Sequence, residues 1–179
     1  MIIAATVLLL LAAVPAGASL PHRAARPSLG LLNITALAQL ALLAAAALCA
    51  LQVSGVDDGG WRPALVIAAT AAACLGGSGV SVAVLDTATR FDARPHADQG
   101  PPVLRGGAWI GLLERLAVVS TLLMGWPEGL AVVLAVKGLA RYSELKQPNG
   151  AAERFIIGTF CSVLWASACA GVATLGLMG

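Results

Sequence analysis

Glu114, Arg115 and Lys137 are the residues whose type and position hold most chemical interest, because all three are ionisable and sit inside apolar runs. The two runs are separated by Gly125-Trp126-Pro127-Glu128, which reads as a tight turn with Pro127 suited to opening the following helix. In an antiparallel hairpin about that turn, Lys137 lies level with Glu114 and Arg115. At 1.5 Å per residue, this level is roughly 12 Å from the helix ends opposite the turn. An ionised side chain at such depth carries an insertion cost of about 2.5–3.5 kcal/mol. Adjacent helical residues point about 100° apart, so Glu114 and Arg115 cannot both face Lys137. Glu114 is the sensible partner for Lys137, which leaves Arg115 to extend toward the headgroups. Two kinds of chemistry follow. One is a structural ion pair that fixes hairpin register; the other is a polar site for a proton, an ion or a lipid headgroup. The structural reading is preferred.

The elements that position these residues are written in the composition. Of 179 residues, 59% are hydrophobic and 11% charged, with mean hydropathy +0.87. Soluble domains have about 45–50% apolar and about 25% charged residues. This balance excludes a soluble globular enzyme and a disordered chain. A net charge of +2 is far from the basic excess of a nucleic-acid binder. Alanine, about a fifth of the residues, favours helix. The expected fold is all-α: a polytopic transmembrane bundle, one integral membrane domain over 1–179. Its six expected spans are about 2–19, 30–53, 63–85, 107–125, 127–145 and 154–178.

Lysine and arginine set the expected orientation. Arg23, Arg26, Arg90, Arg94, Arg105, Arg141, Lys146 and Arg154 fall in alternate connections, and Arg62 alone falls in the others. That bias predicts external N- and C-termini and three cytoplasmic connections in a multi-pass protein of the cell membrane. Ala16-Gly17-Ala18 resembles a signal-peptidase site, but no Lys or Arg precedes the apolar core, and cleavage would invert the bias. Residues 2–19 are therefore read as an uncleaved span. Trp61 and Trp126 fall at expected external ends, with Trp109, Tyr142 and Phe155 at cytoplasmic ones; Trp165 lies well inside a span, where packing is its expected role.

The remaining residues give weaker signals. Cys49, Cys74, Cys161 and Cys169 lie within spans without a Cys-x-x-Cys pair, so they read as small apolar residues and no metal site or cofactor is expected. His22 and His96 read as loop residues. No catalytic constellation is recognised. The last span carries Gly158, Ser162, Ala166, Ala170 and Thr174 at i+4 spacing, a small-residue ridge for close helix packing. Gly76-Gly77-Ser78-Gly79 in the third span reads as a second packing patch, the alternative being an unwound substrate site.

Three segments resemble the C-terminal region of an uncharacterised family of bacterial multi-pass membrane proteins. They are Gly107-Ala108-Trp109-Ile110-Gly111-Leu112-Leu113-Glu114-Arg115, then Ala135-Val136-Lys137-Gly138-Leu139-Ala140-Arg141-Tyr142, then Glu153-Arg154-Phe155-Ile156-Ile157-Gly158-Thr159. The resemblance covers about residues 107–165 and implies an integral membrane protein without implying an activity. The family's histidine- and aspartate-bearing N-terminal region has no counterpart in the first three spans here. The expected function is that of a non-enzymatic scaffold or accessory protein. Its expected partners are membrane lipids, a second copy or another membrane protein. A small-solute, ion or proton transporter using Glu114, Arg115 and Lys137 is the alternative.

Overall fold

A computed structural model describes residues 1–17, 29–52, 60–91, 107–142, 146 and 151–178. His22, His96 and the arginines of 18–28 and 92–106 lie outside the described residues. Every regular element described is helical: α1 (Ile2–Gly17), α2 (Leu29–Leu51), α3 (Trp61–Ala71), α4 (Gly77–Phe91), α5 (Gly107–Leu123), α6 (Gly129–Ala140) and α7 (Ala151–Met178). A π-helical turn, Ala72–Gly76, joins α3 to α4 without a break, so the two form one long rod.

Among the described residues, three stretches are long and apolar enough to cross a membrane: Asn33–Leu51, Trp61–Ala88 and Ala152–Met178. The helices follow the order of the six expected spans, but only these three reach spanning length, and α1, α5 and α6 are shorter. The physical reason is clearest for the hairpin of α5 and α6. Gly125 adopts φ +72°, the left-handed conformation that glycine takes at no steric cost. Trp126 N–H donates to Thr121 O (2.8 Å) and Gly125 N–H to Leu122 O (3.1 Å), the paired bonds of a Schellman stop. The next bonds, Gly129 to Trp126 and Leu130 to Pro127 (both 3.1 Å), begin α6 as a tight first turn around Pro127. The turn takes Met124 and Gly125 from the end of the fourth expected span and Pro127 and Glu128 from the start of the fifth. At 1.5 Å per residue, the 12-residue α6 is about 18 Å long, against a hydrocarbon core of about 30 Å.

The core lies where α1, α2, the α3–α4 rod, α5 and α7 meet, and small side chains dominate it: Ala5, Ala46, Ala68, Ala69, Ala72, Ala166, Ala170 and Ala173 are buried with Leu9, Leu65, Val118 and Trp165. Alanine lets helix axes approach closely, the device that substitutes for hydrophobic driving force within lipid. Large side chains point outward instead, among them Leu37, Leu48, Ile67, Phe160 and Leu164. Apolar outside and small inside is the arrangement expected of helices in a hydrocarbon solvent.

The ridge on α7 faces inward as expected. Ser162, Ala166 and Ala170 are buried, and a Cβ on Gly158 would stand 3.3 Å from Leu85 of α4. Replacing Ser162 or Ala166 by leucine should cost on the order of 1–3 kcal/mol through overpacking. Thermal unfolding in detergent checks this; parent-like stability of both variants would remove the ridge from the interface.

Candidate functional site: polar side chains around a π turn

An ionised or amide side chain inside an apolar bundle must find partners or bear its full desolvation cost. Here the partners are the backbone carbonyls of the π turn. Every second residue of Ala72–Gly76 accepts a side-chain hydrogen bond, each from a different helix. Trp165 Nε1 of α7 donates to Ala72 O (3.0 Å). Arg115 of α5 donates twice to Cys74 O, from Nε (3.1 Å) and Nη2 (2.8 Å). Gln39 Nε2 of α2 donates to Gly76 O (3.4 Å) and also to Ala12 O of α1 (3.1 Å). A π turn disturbs the regular ladder, and membrane helices tolerate such irregularity where neighbouring side chains satisfy the backbone.

The glycine patch makes this approach sterically possible. A Cβ on Gly77 would stand 2.5 Å from Arg115 Cδ and 2.8 Å from Trp165 Cδ1. One on Gly76 would stand 2.8 Å from Trp165 Cζ2 and 3.0 Å from Ala12 O. Neither position has room for a side chain. The patch is therefore a contact surface for Arg115 and Trp165, in line with the packing reading.

The three ionisable residues of the hairpin divide between two tasks. Lys137 Nζ donates to Glu114 Oε2, as the equal-depth argument expects. Glu114 lies eleven residues before Gly125 and Lys137 eleven after Trp126, so the pair is symmetric about the turn. Its side chains retain 18% and 19% exposure for Glu114 and Lys137. Lys137 Nζ also lies 5.8 Å from the ring centre of Phe155, within cation–π range. That contact ties the otherwise peripheral α6 to the start of α7.

Arg115 corrects an expectation. It does not extend toward the headgroups but turns inward and is only 6% exposed. Besides Cys74 O, it reaches Ser162 Oγ from Nη1 (3.5 Å). Two short hydrogen bonds from a charged donor, at about 1.5–3 kcal/mol each, offset an insertion cost of about 2.5–3.5 kcal/mol. An inward carbonyl therefore competes successfully with a distant headgroup. Gln39 and the acceptor of Trp165 were not anticipated at all. Gln39 had one available signal: it is an amide near the middle of a largely apolar span, where a polar residue is costly unless bonded.

Cys49, Cys74, Cys161 and Cys169 are free thiols. Among the described residues no group of His, Cys, Asp and Glu could hold a metal ion. Taken together, the elements define an all-helical protein with membrane-compatible helices and a buried polar knot at a π turn. Comparison with protein families, curated proteins and solved structures yields no match to this chain.

Proposed function

We propose that the chain is a non-enzymatic scaffold or accessory protein of the cell membrane, crossing it six times with both termini external. One observation carries this reading: the polar side chains that could serve a substrate are engaged in holding helices together. Gln39, Arg115 and Trp165 bind the π turn, and Glu114 binds Lys137. Such a bundle suits display of its outer faces and connections to lipids, a second copy or another membrane protein. The lysine and arginine bias supports the orientation, and the likeness of residues 107–165 to a bacterial multi-pass family fits the same class.

The partial exposure of the Glu114–Lys137 pair favours the competing reading, a small-solute, ion or proton transporter working at Glu114, Arg115 and Lys137. Purified protein in liposomes separates the two. Under the accessory reading, proton and small-ion flux stays at the level of empty vesicles, and crosslinking in intact cells yields a discrete complex. Flux that disappears in Glu114→Gln would overturn it. Orientation has its own readout: cysteines introduced at Ser19 and Asn149 should react only after the cytoplasmic face is opened, and labelling from outside intact cells would reverse the topology.

A further inference from the structure

The adjacent residues Glu114 and Arg115 hold two helices with very different security. Arg115 fastens α5 to the bundle, through two bonds to Cys74 O and one to Ser162 Oγ. Glu114 holds α6 instead, by way of Lys137. The fold gives α6 little else. Of its twelve residues only Gly129, the first, is buried. Leu130 and Val133 pack partly against the core, whereas Val132, Leu134, Val136 and Leu139 are exposed. By contrast α7 buries Ser162, Trp165, Ala166, Cys169, Ala170 and Ala173.

The two ends of α6 are held in different ways. At its start Gly129 is wedged against the turn: a Cβ there would stand 2.5 Å from Thr121 Cγ2 and 2.8 Å from Trp126 Cε3. The turn itself passes through Gly125 at φ +72°, and all of Met124 to Glu128 is exposed. This end is a covalent pivot. Lys137 lies about two turns further on, three residues before the last of the helix. Its Nζ ties α6 to two neighbours, Glu114 of α5 and the Phe155 ring of α7. Gly138 beside it bears no side chain, and a Cβ there would meet nothing within 4 Å. The far end thus has polar ties without close packing around them.

Within lipid, helices are held together by close packing, because acyl chains cover an apolar face as well as a neighbouring helix does. A helix that buries a single glycine has little packing to lose. The ion pair is different, since acyl chains offer neither charge a substitute partner. Contacts at Leu130 and Val133 can be replaced by lipid; the contact at Lys137 cannot.

We propose that the Glu114–Lys137 pair is a latch. While it is closed, α6 lies along α5; once it is broken, α6 swings away about the Gly125 turn. Glu114, Val118 and Thr121 follow one another at i+4 and i+3 spacing, so they share a face of α5. Lys137 meets this face at Glu114 and Gly129 meets it at Thr121, which places it beneath α6. The latch decides whether that face is covered. The inference concerns motion, goes beyond the accessory reading, and stands whether or not the protein carries a flux.

Double electron–electron resonance on the full chain in lipid nanodiscs tests this. Spin labels are attached at Leu139→Cys of α6 and Phe160→Cys of α7, both exposed positions, with the four native cysteines replaced by alanine. Arg115 keeps its acceptor in that background, because the bonds to Cys74 use the backbone. A second label pair, Leu48→Cys of α2 with Phe160→Cys, reports whether the rest of the bundle is intact. The informative variant combines Glu114→Gln with Lys137→Met, which removes the latch without leaving an unpaired charge. The parent should give one narrow α6–α7 distance. The double variant should keep the α2–α7 distance and add an α6–α7 component longer by at least about 5 Å, half the usual separation of packed helices. Glu114→Gln alone is the second variant, because its surviving ammonium can extend to a headgroup; it should show the same added component. The proposal is overturned if the parent already shows the broad distribution. It is equally overturned if either variant keeps the α2–α7 distance and the parental α6–α7 distance together.

Discussion

Trp165→Ala is expected to destabilise the bundle by about 3–5 kcal/mol, the usual range for truncating a large buried aromatic. Trp165 is 3% exposed and lies against the backbone of Gly76 and Gly77, where no other residue can fill the space it leaves. The loss has a second component, because Nε1 donates to Ala72 O at the head of the π turn. Trp165→Phe separates the two: most of the ring volume stays, and only the donor goes. Its cost should be about 1–3 kcal/mol, that of leaving a buried acceptor without its partner. Chemical or thermal unfolding of parent and both variants in one detergent gives the ranking. A phenylalanine variant as stable as the parent would mean that the bond to Ala72 contributes nothing and that Trp165 acts by volume alone. Equal losses for phenylalanine and alanine would mean that the π turn rests on the hydrogen bond rather than on packing.

Much of the arrangement is legible in the sequence where side chain meets side chain. Glu114 and Lys137 announce one another by charge, depth and the turn between them, and the pair forms. The ridge of Ser162, Ala166 and Ala170 announces itself by spacing, and it is buried. The role of Arg115 is less legible, for a specific reason: its principal acceptor is a backbone carbonyl of a distant segment. Carbonyls occur at every residue, so no residue type marks the one that is used. The same holds for Gln39 and Trp165, whose acceptors are Gly76, Ala12 and Ala72. The π turn is equally hidden, because it reflects the helix's surroundings more than its local preference. The run Gly76-Gly77-Ser78-Gly79 was its only trace, and that run alone does not separate close packing from an unwound site. Span length is misread for a related reason. The turn at Gly125-Trp126-Pro127-Glu128 is legible, but the backbone bonds that close α5 at Leu123 and delay α6 to Gly129 carry no residue-type mark.

The Glu114–Lys137 pair should behave as one unit under mutation. Lys137→Met leaves a carboxylate in the apolar half of the hairpin, and Glu114→Gln leaves an ammonium there. Breaking a buried pair costs about 3–5 kcal/mol, since the surviving charge is uncompensated. With about a fifth of each side chain exposed, the lower end of that range is expected. The two singles should differ in a way the geometry specifies. The ammonium left by Glu114→Gln still has the face of Phe155, 5.8 Å away, and a flexible stem that can carry it toward a headgroup. The carboxylate left by Lys137→Met has the shorter side chain, so that variant should lose more. The double variant should regain much of the loss because glutamine and methionine need no ionic partner. Non-additivity of 0.5–3 kcal/mol is the usual range for residues in direct contact, and a value in its upper half is expected here. Folded yield and unfolding of the four proteins in one detergent complete the cycle. Additive losses would mean that the residues do not communicate, and the hairpin register would then have to rest on the Gly125 turn and on Arg115. A double variant that folds well and supports the same crosslinked complex as the parent assigns the pair to architecture. One that folds well but loses the complex, or a measurable flux, assigns it a functional task as well.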